Sequence, residues 1–510
     1  MNIGSTIERH ARSIPEKIAI YFRSKSYSYD RFNREVNRIA HSLLTEGVKK
    51  GDKIALMMKN SDMFMFVYYA IMKVGAVAVP VNFRLTTREI TYILNDSDSS
   101  IVFFDDEYCE TIYQSTQGNE KVKFAISIGV RTAPGQKRLD EVITSIETDP
   151  LIQVEEWDDA QILYTSGTTG LPKGVLLDHH RVLHASIRNA MIQKMDSNDR
   201  ILHIAPLFHA AQLNVFMITS NYLGCTQVVH EAFVPEEVLN AIDKYKITLY
   251  FGVPTMYNFL LQVKDRDKYN LTSVTRCTYG AAPMPSELIK KAMKMFETDQ
   301  FINLCGLTEG GPGGIALLPS EHKDKLGTCG KAQFNDEAQV VNDFGEQIKP
   351  GEVGELILRC ESVMKEYYKK PEETQKVLRN GWIYTGDLAT IDIDGYINLV
   401  DRKKDMIISG GENIYSTEVE QILYKHPNIL EAAVIGVPDE IWGETVAAVV
   451  VAKAGKKLEH NEIIAFCRRE LAGYKVPRLI FEYSEIPRNA SGKVLKYKLR
   501  DEIKTFPLKD

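Results

Sequence analysis

Between residues 32 and 296 the chain repeatedly switches its hydrophobic period, from the 3.6-residue spacing of a helix to the short apolar run of a buried strand. Residues 32–44 have helical spacing, 53–58 read as a strand, and 62–73 are helical again. Residues 76–81, 87–94 and 101–104 continue the alternation, which resumes at 227–230, 235–244, 248–251 and a helix over 286–296. A strand that feeds a helix before the next strand pairs in parallel, so the pattern predicts parallel sheets wrapped by helices. With 510 residues the chain exceeds one core, and length alone suggests about three domains or subdomains.

After about residue 325 the texture changes. Turn signals at Asp343-Phe344-Gly345, Lys349-Pro350-Gly351 and Asp392-Ile393-Asp394-Gly395 punctuate short strands, including 355–359 and 396–400. This reads as an antiparallel or barrel-like subdomain. The charged run Asp401-Arg402-Lys403-Lys404-Asp405 precedes a last block with helices over 416–425 and 462–471 and strands over 431–436 and 446–452. A boundary at Lys404 gives an N-terminal domain of 1–403 and a C-terminal domain of 404–510.

A net charge of −6 leaves no global footprint for nucleic acid or an anionic membrane. Seven scattered cysteines without a C-x-x-C pair argue against a disulfide framework or structural zinc. The first residues lack the apolar core of a signal peptide. The apolar stretch 63–81 is broken by Lys73 and Gly75 and closed by Pro80, so a buried helix followed by a strand is expected there rather than a span. A reduced, cytoplasmic enzyme is the resulting expectation.

Five motifs carry chemistry. Thr165-Ser166-Gly167-Thr168-Thr169-Gly170, followed by Leu171-Pro172-Lys173-Gly174, packs hydroxyls, glycines and a lysine directly after an apolar run. Such a loop can turn consecutive N–H groups inward as an anion nest and add a full positive charge. It is not a Walker A loop, because Leu171-Pro172 separates Gly170 from Lys173. Thr308-Glu309 sits in the glycine-rich run from Gly306 to Gly314, where a hydroxyl beside a carboxylate suits a phosphate oxygen and a divalent cation. Asp387, in Tyr384-Thr385-Gly386-Asp387, could hold a ribose diol. Arg402 stands in the charged run, and Ser491-Gly492-Lys493 puts a lysine on a shaped turn near the C-terminus.

Together, and in this order over almost the whole chain, these motifs resemble the acyl-adenylate-forming superfamily. The segment Asp401 to Tyr415 looks like its CoA-ligase branch, fatty acyl-CoA synthetases in particular. The resemblance implies an α/β fold: a large N-terminal domain of two α/β subdomains plus a small β-barrel-like one, then a small mobile α+β domain. It implies that a carboxylate attacks the α-phosphate of ATP and that coenzyme A then displaces AMP. Residues 165–173 would hold the β- and γ-phosphates, with Glu309 and Thr165 on Mg²⁺ and Thr308 on the α-phosphate. Gly280, Ala281 and Ala282 with Asn303, Leu304, Cys305 and Gly306 would hold adenine, and Asp387 and Arg402 the ribose. Cys305 replaces a frequent tyrosine. Lys493 would stabilise the first transition state, Lys404 would be the hinge, and Gly410 and Gly411 would line the pantetheine tunnel.

The acyl pocket is expected near Phe208, His209 and Gln212, residues 253–257, and Gly310 and Gly311, whose small size would leave room for a chain. With no acid or base evident there, a medium- or long-chain fatty acid is the expected substrate. A ligase for an aryl or other specialised acid and an inactive nucleotide-binding protein are the alternatives; retention of Lys493 speaks against the second. The expected partners are the acid, ATP and CoA, without nucleic acid; peripheral membrane contact and a homodimer stay open.

Overall fold

A computed structural model of the chain describes residues 1–165, 171–488 and 494–503. They form two compact units: Met1–Ala338 with Leu358–Ile383, and Gln339–Ile357 with Tyr384–Asp510.

The first unit holds two large sheets. The nine-stranded sheet has the order Lys331–Ala332, Gly314–Leu317, Phe301–Gly306, Arg276–Gly280, Leu249–Gly252, Arg200–His203, Thr226–Val229, Ile18–Phe22, Lys25–Ser28. The eight-stranded sheet runs Glu366–Tyr367, Lys173–Asp178, Asp159–Thr165, Val77–Pro80, Lys53–Met57, Ser99–Asp105, Phe124–Ile128, Lys137–Arg138. Pairing is parallel through the middle of both sheets, as the alternation predicts. It turns antiparallel toward the edges, where Ile18–Phe22 meets Lys25–Ser28 and Asp159–Thr165 meets Lys173–Asp178. Those strands are joined by short loops, and a parallel crossover needs a dozen or more residues.

Local signals place several helices to the residue. Asp62–Lys73, Ser286–Phe296 and Ser416–Lys425 coincide with the sequence expectation. The predicted helix over 32–44 extends to Tyr29–Thr45, with the Ser28 hydroxyl accepting from the Arg31 amide as N-cap. The 63–81 segment is a buried helix followed by the strand Val77–Pro80, and no helix among the described residues is long and apolar enough to cross a membrane. Lys73 ends that helix with its ammonium buried, donating to Asn33 and Asn37 at 2.7 Å and to Asp149 at 2.5 Å. Burial of a charge demands such partners.

The hairpin of Trp382–Ile391 and Ile397–Arg402 belongs to a five-stranded sheet, a half-barrel in keeping with the barrel-like subdomain expected there. The last block is built on the long antiparallel pair Ile429–Asp439 and Gly443–Ala452. Strict alternation along Gly443–Ala452 sends Val446, Ala448 and Val450 toward helices Ser416–Lys425 and His460–Glu470. Ala447 and Val449 go to the other face, against Leu499 and Ile503 of helix Lys496–Ile503.

Candidate active site

The hairpin Asp159–Thr165/Lys173–Asp178 sets Thr165 directly opposite Lys173. Ser166, Gly167, Thr168, Thr169 and Gly170, which the sequence assigns to the phosphate loop, lie outside the described residues. The Lys173 ammonium is 2.5 Å from Glu373 Oε2 and 5.0 Å from the centre of the Tyr367 ring. Hydrogen bonds from Lys173 and then Lys376 pull the Glu373 carboxyl down to about 2. The Tyr367 hydroxyl donates to Glu309 Oε1 at 2.8 Å. One tyrosine therefore connects the loop lysine to the Thr308-Glu309 turn. Neither Tyr367 nor Glu373 was singled out from the sequence; the only signal was an aromatic pair, Tyr367-Tyr368, ahead of a proline-started helix, Pro371–Val377.

Glu309 lies in a single 3₁₀ turn, Thr308–Gly310, after strand Phe301–Gly306. No cluster of three His, Cys, Asp or Glu side chains able to hold a metal is present among the described residues. Mg²⁺ ordinarily takes one or two carboxylates plus substrate phosphate oxygens, so a lone Glu309, linked through Tyr367 to Lys173, fits a cation brought in with nucleotide.

The proposed adenine wall is assembled by sheet register. Gly280 pairs with Leu304 and Tyr279 with Asn303, which places 280–282 beside 303–306. A Cβ on Gly280 would come 2.3 Å from the Leu304 carbonyl oxygen, so only glycine allows this approach. Ala281 follows with φ +64, a left-handed conformation unusual for a residue with a Cβ. Cys305 is part-buried opposite Ile315.

Two glycines of the 310–314 run, Gly311 and Gly313, are closely packed, whereas a Cβ on Gly310 or Gly314 would meet nothing nearer than 3.4 Å. A Cβ on Gly311 would meet the Ser362 carbonyl at 2.1 Å, and one on Gly313 would meet the Arg188 guanidinium at 2.2 Å. At these two positions the small size serves close packing. Arg188, fully buried in helix His179–Ile192, organises the run. It donates to Asp336 at 3.1 Å, Ser362 at 2.8 Å, and the carbonyls of Pro312 at 2.9 Å and Gly311 at 3.4 Å. A single arginine on a helix gave no sequence signal for this.

Phe208 and His209 occupy the turn after strand Arg200–His203, with Phe208 edge-on to Phe83 at 5.5 Å. Desolvation lowers the His209 pKa to about 4, so the ring is neutral at pH 7. Gln212 lies in the first turn of a π-helix, Ala211–Ile218, and its amide is already used: its oxygen accepts from the Ala205 amide at 3.3 Å and its nitrogen meets His203 Nδ1 at 2.6 Å. Farther along that helix Asn214 is fully buried, and neither atom of its amide has a partner among the described residues.

Burial also sets a pH dependence. His179 and His203 are both fully buried, and desolvation lowers each from 6.5 to about 4. The unfolded chain takes up these protons near pH 6.5 and the folded chain only near pH 4. Stability present above pH 6.5 is therefore lost as pH falls through that window. The melting temperature is expected to drop steadily between pH 6.5 and 4.5; a flat profile would contradict the assignment.

In the second unit, Asp387 and Arg402 face each other across the hairpin, with Arg402 Nε 3.0 Å from Asp387 Oδ1. Arg402 is thus a strand residue rather than part of a solvated linker. Lys404 lies in the turn that follows, stabilised by the Asp405 and Met406 amides donating to the Arg402 carbonyl at 2.8 and 3.0 Å. Gly410 has φ +60, and a Cβ there would come 2.8 Å from the Trp442 ring, while Gly411 has open space around it. Lys493 lies outside the described residues. Of the expected set, Thr165, Lys173, Thr308, Glu309, Gly280–Ala282 and Asn303–Gly306 share the first unit, and Asp387, Arg402, Lys404 and the glycine pair share the second.

A glycine-rich hairpin with a lysine, a threonine–glutamate turn beside it, and a separate small α+β block together define an adenylate-forming enzyme. The chain belongs to the AMP-binding enzyme family, whose model matches residues 7–368, with the C-terminal domain of that family matching 418–493. It is an AMP-forming acid–thiol ligase, an acyl-CoA synthetase that works with ATP, Mg²⁺ and coenzyme A. It is 36% identical over 498 residues to a feruloyl-CoA synthase of Amycolatopsis sp, covering 98% of each chain. It is also 36% identical over 505 residues to the long-chain-fatty-acid–CoA ligase FadD13 of Mycobacterium tuberculosis, again with 98% of each covered. Among solved structures, an anthranilate CoA ligase in complex with anthranoyl-AMP superposes with a TM-score of 0.91 at 27% identity, covering 99% of this chain and 97% of that one.

Proposed function

We propose that the acid activated is a medium- or long-chain fatty acid. The observation that supports this reading is an apolar cluster in the first unit, where Ala205, Val215, Phe216 and Phe251 pack together with Val253, Met256 and Leu304. An apolar tail gains roughly 0.8 kcal/mol per methylene on leaving water for such a surface. A second reading is an aromatic acid bearing a polar substituent. It is favoured by the unpartnered Asn214 amide, whose buried groups call for a hydrogen-bonding partner, and by the similarity to the feruloyl-CoA synthase.

In this reading a carboxylate oxygen of the acid attacks the α-phosphorus and pyrophosphate leaves. The thiol sulfur of CoA then attacks the acyl carbon and AMP leaves. Thr165 and Lys173, with 166–170, hold the departing pyrophosphate; Thr308 touches the α-phosphate; Asp387 and Arg402 hold the ribose; Gly410 and Gly411 border the pantetheine arm. Glu309 and Thr165 would hold Mg²⁺, whose chemistry when bound would be to offset phosphate charge. Lys404 is the hinge between two orientations of the C-terminal domain, one for each step. Lys404→Pro, which fixes φ, is expected to spare adenylation and depress thioester formation when the two are assayed separately. Unimpaired thioester formation would refute the hinge.

The test of substrate class is a panel of straight-chain and aromatic acids with ATP and CoA, read as AMP formation. Highest kcat/KM on the longer straight-chain acids supports the first reading, and highest kcat/KM on hydroxycinnamates selects the second. No acid-dependent ATP–pyrophosphate exchange with any member would overturn both.

A further inference from the structure

We infer that Tyr367 is a positioning residue for the nucleotide–cation site, holding the Glu309 carboxylate and the Lys173 ammonium in register through opposite features of one side chain. This rests on the assignment of both residues to ATP and Mg²⁺ given above.

The geometry that carries it is a short segment fastened on both sides. Strand Glu366–Tyr367 pairs with Lys173–Asp178, setting Tyr367 opposite Val175. The Tyr368 amide donates to the Gly174 carbonyl at 2.8 Å and the Lys365 amide to the Leu176 carbonyl at 2.9 Å. At its other end the Met364 amide donates to the Glu309 carbonyl at 2.8 Å. The lysine-bearing strand and the glutamate turn come from different sheets, and the segment ties each to the other.

Tyr367 adds the side-chain half of that tie. Its ring is 6% exposed. Its hydroxyl donates to Glu309 Oε1 at 2.8 Å. The ring presents its π-electron density to the Lys173 ammonium at 5.0 Å, a cation–π distance. Its own backbone is fixed by the Thr374 hydroxyl, which accepts from the Tyr367 amide at 2.9 Å, and by the Lys370 amide donating to its carbonyl at 2.9 Å. A carboxylate restrained by one donor presents its remaining lone pairs in a fixed direction, which a small cation with strict geometry requires.

The hydroxyl and the ring make separable predictions. Tyr367→Phe keeps the ring and removes the donor; Tyr367→Leu removes both. ATP affinity is measured by isothermal titration calorimetry with and without Mg²⁺. For Tyr367→Phe, the tightening of ATP binding produced by Mg²⁺ is expected to shrink about tenfold, as for loss of one hydrogen bond to a charged group. Its affinity without Mg²⁺ should match the unsubstituted enzyme. Tyr367→Leu is expected to weaken ATP binding without Mg²⁺ as well. Retention of the full Mg²⁺ effect in Tyr367→Phe overturns the inference. So does equal weakening with and without Mg²⁺, because a merely structural role would not distinguish the two. Failure of the unsubstituted enzyme to bind ATP would instead overturn the site assignment itself.

Discussion

Replacing Lys493 by alanine is expected to slow adenylate formation by roughly three orders of magnitude while largely sparing thioester formation from a supplied acyl adenylate. In the first step a negative carboxylate approaches a negative phosphate, and further charge builds on the α-phosphate oxygens. A lysine beside those oxygens lowers the barrier electrostatically, without proton transfer. One charge pair at ~4 Å is worth on the order of 4 kcal/mol at an effective dielectric near 20, and about 1.36 kcal/mol is a decade in rate. The second step expels AMP by thiol attack on a carbon and builds no comparable charge on phosphorus. The residues flanking 493 are firmly held: Arg488 bridges Val494, and Lys496 Nζ lies 2.7 Å from Glu420 and 2.5 Å from the Ser416 hydroxyl. A large loss in Lys493→Ala would then reflect the ammonium rather than collapse of the domain, which circular dichroism can verify. Equal losses in both half-reactions would refute the role.

Substitution of Arg188 by methionine is expected to destabilise the N-terminal unit by about 3–5 kcal/mol, because it leaves one partner of a buried ion pair uncompensated. Arg188 and Asp336 are each about 1% exposed at the side chain. Burial already raises the Asp336 pKa against the pull of Arg188, so removing the guanidinium drives that carboxyl further toward its neutral form. The loss extends to the Gly311 and Pro312 carbonyls that Arg188 satisfies, directly after the Thr308-Glu309 turn. Adenylation should fall with stability. The double variant Arg188→Met/Asp336→Leu is expected to regain much of the stability, since replacing both charges by apolar groups is often neutral. Thermal melts of the two variants decide this: a double variant no more stable than Arg188→Met would show that the carbonyl contacts, not the charge pair, dominate.

Legibility in the sequence followed the range of the interactions. Helix Ser286–Phe296 and strand Lys53–Met57 were readable because hydrophobic period is local. The antiparallel edges of both sheets were not, because strand pairing is set by partners distant in sequence. The same limit applied at the site. Lys173 and Glu309 stood out by their glycine and hydroxyl surroundings, but Tyr367, Glu373 and Arg188 are ordinary residues on ordinary elements. They matter only through contacts 58, 200 and 148 positions away. Gly311 and Gly313 show the same limit. A glycine looks like empty space in a sequence, yet Ser362 and Arg188 fill the directions that side chains at 311 and 313 would take.

The sequence by itself determined the family, the class of reaction and the alternating architecture, since these rest on short motifs and local hydrophobic period. The tertiary structure decided what holds the chemistry in place: Tyr367 between Lys173 and Glu309, Arg188 beneath the glycine run, and Asp387 opposite Arg402 on one hairpin. Motifs name groups that meet a substrate by their own chemistry. The groups that orient them act through distance and burial, which exist only once the chain has folded.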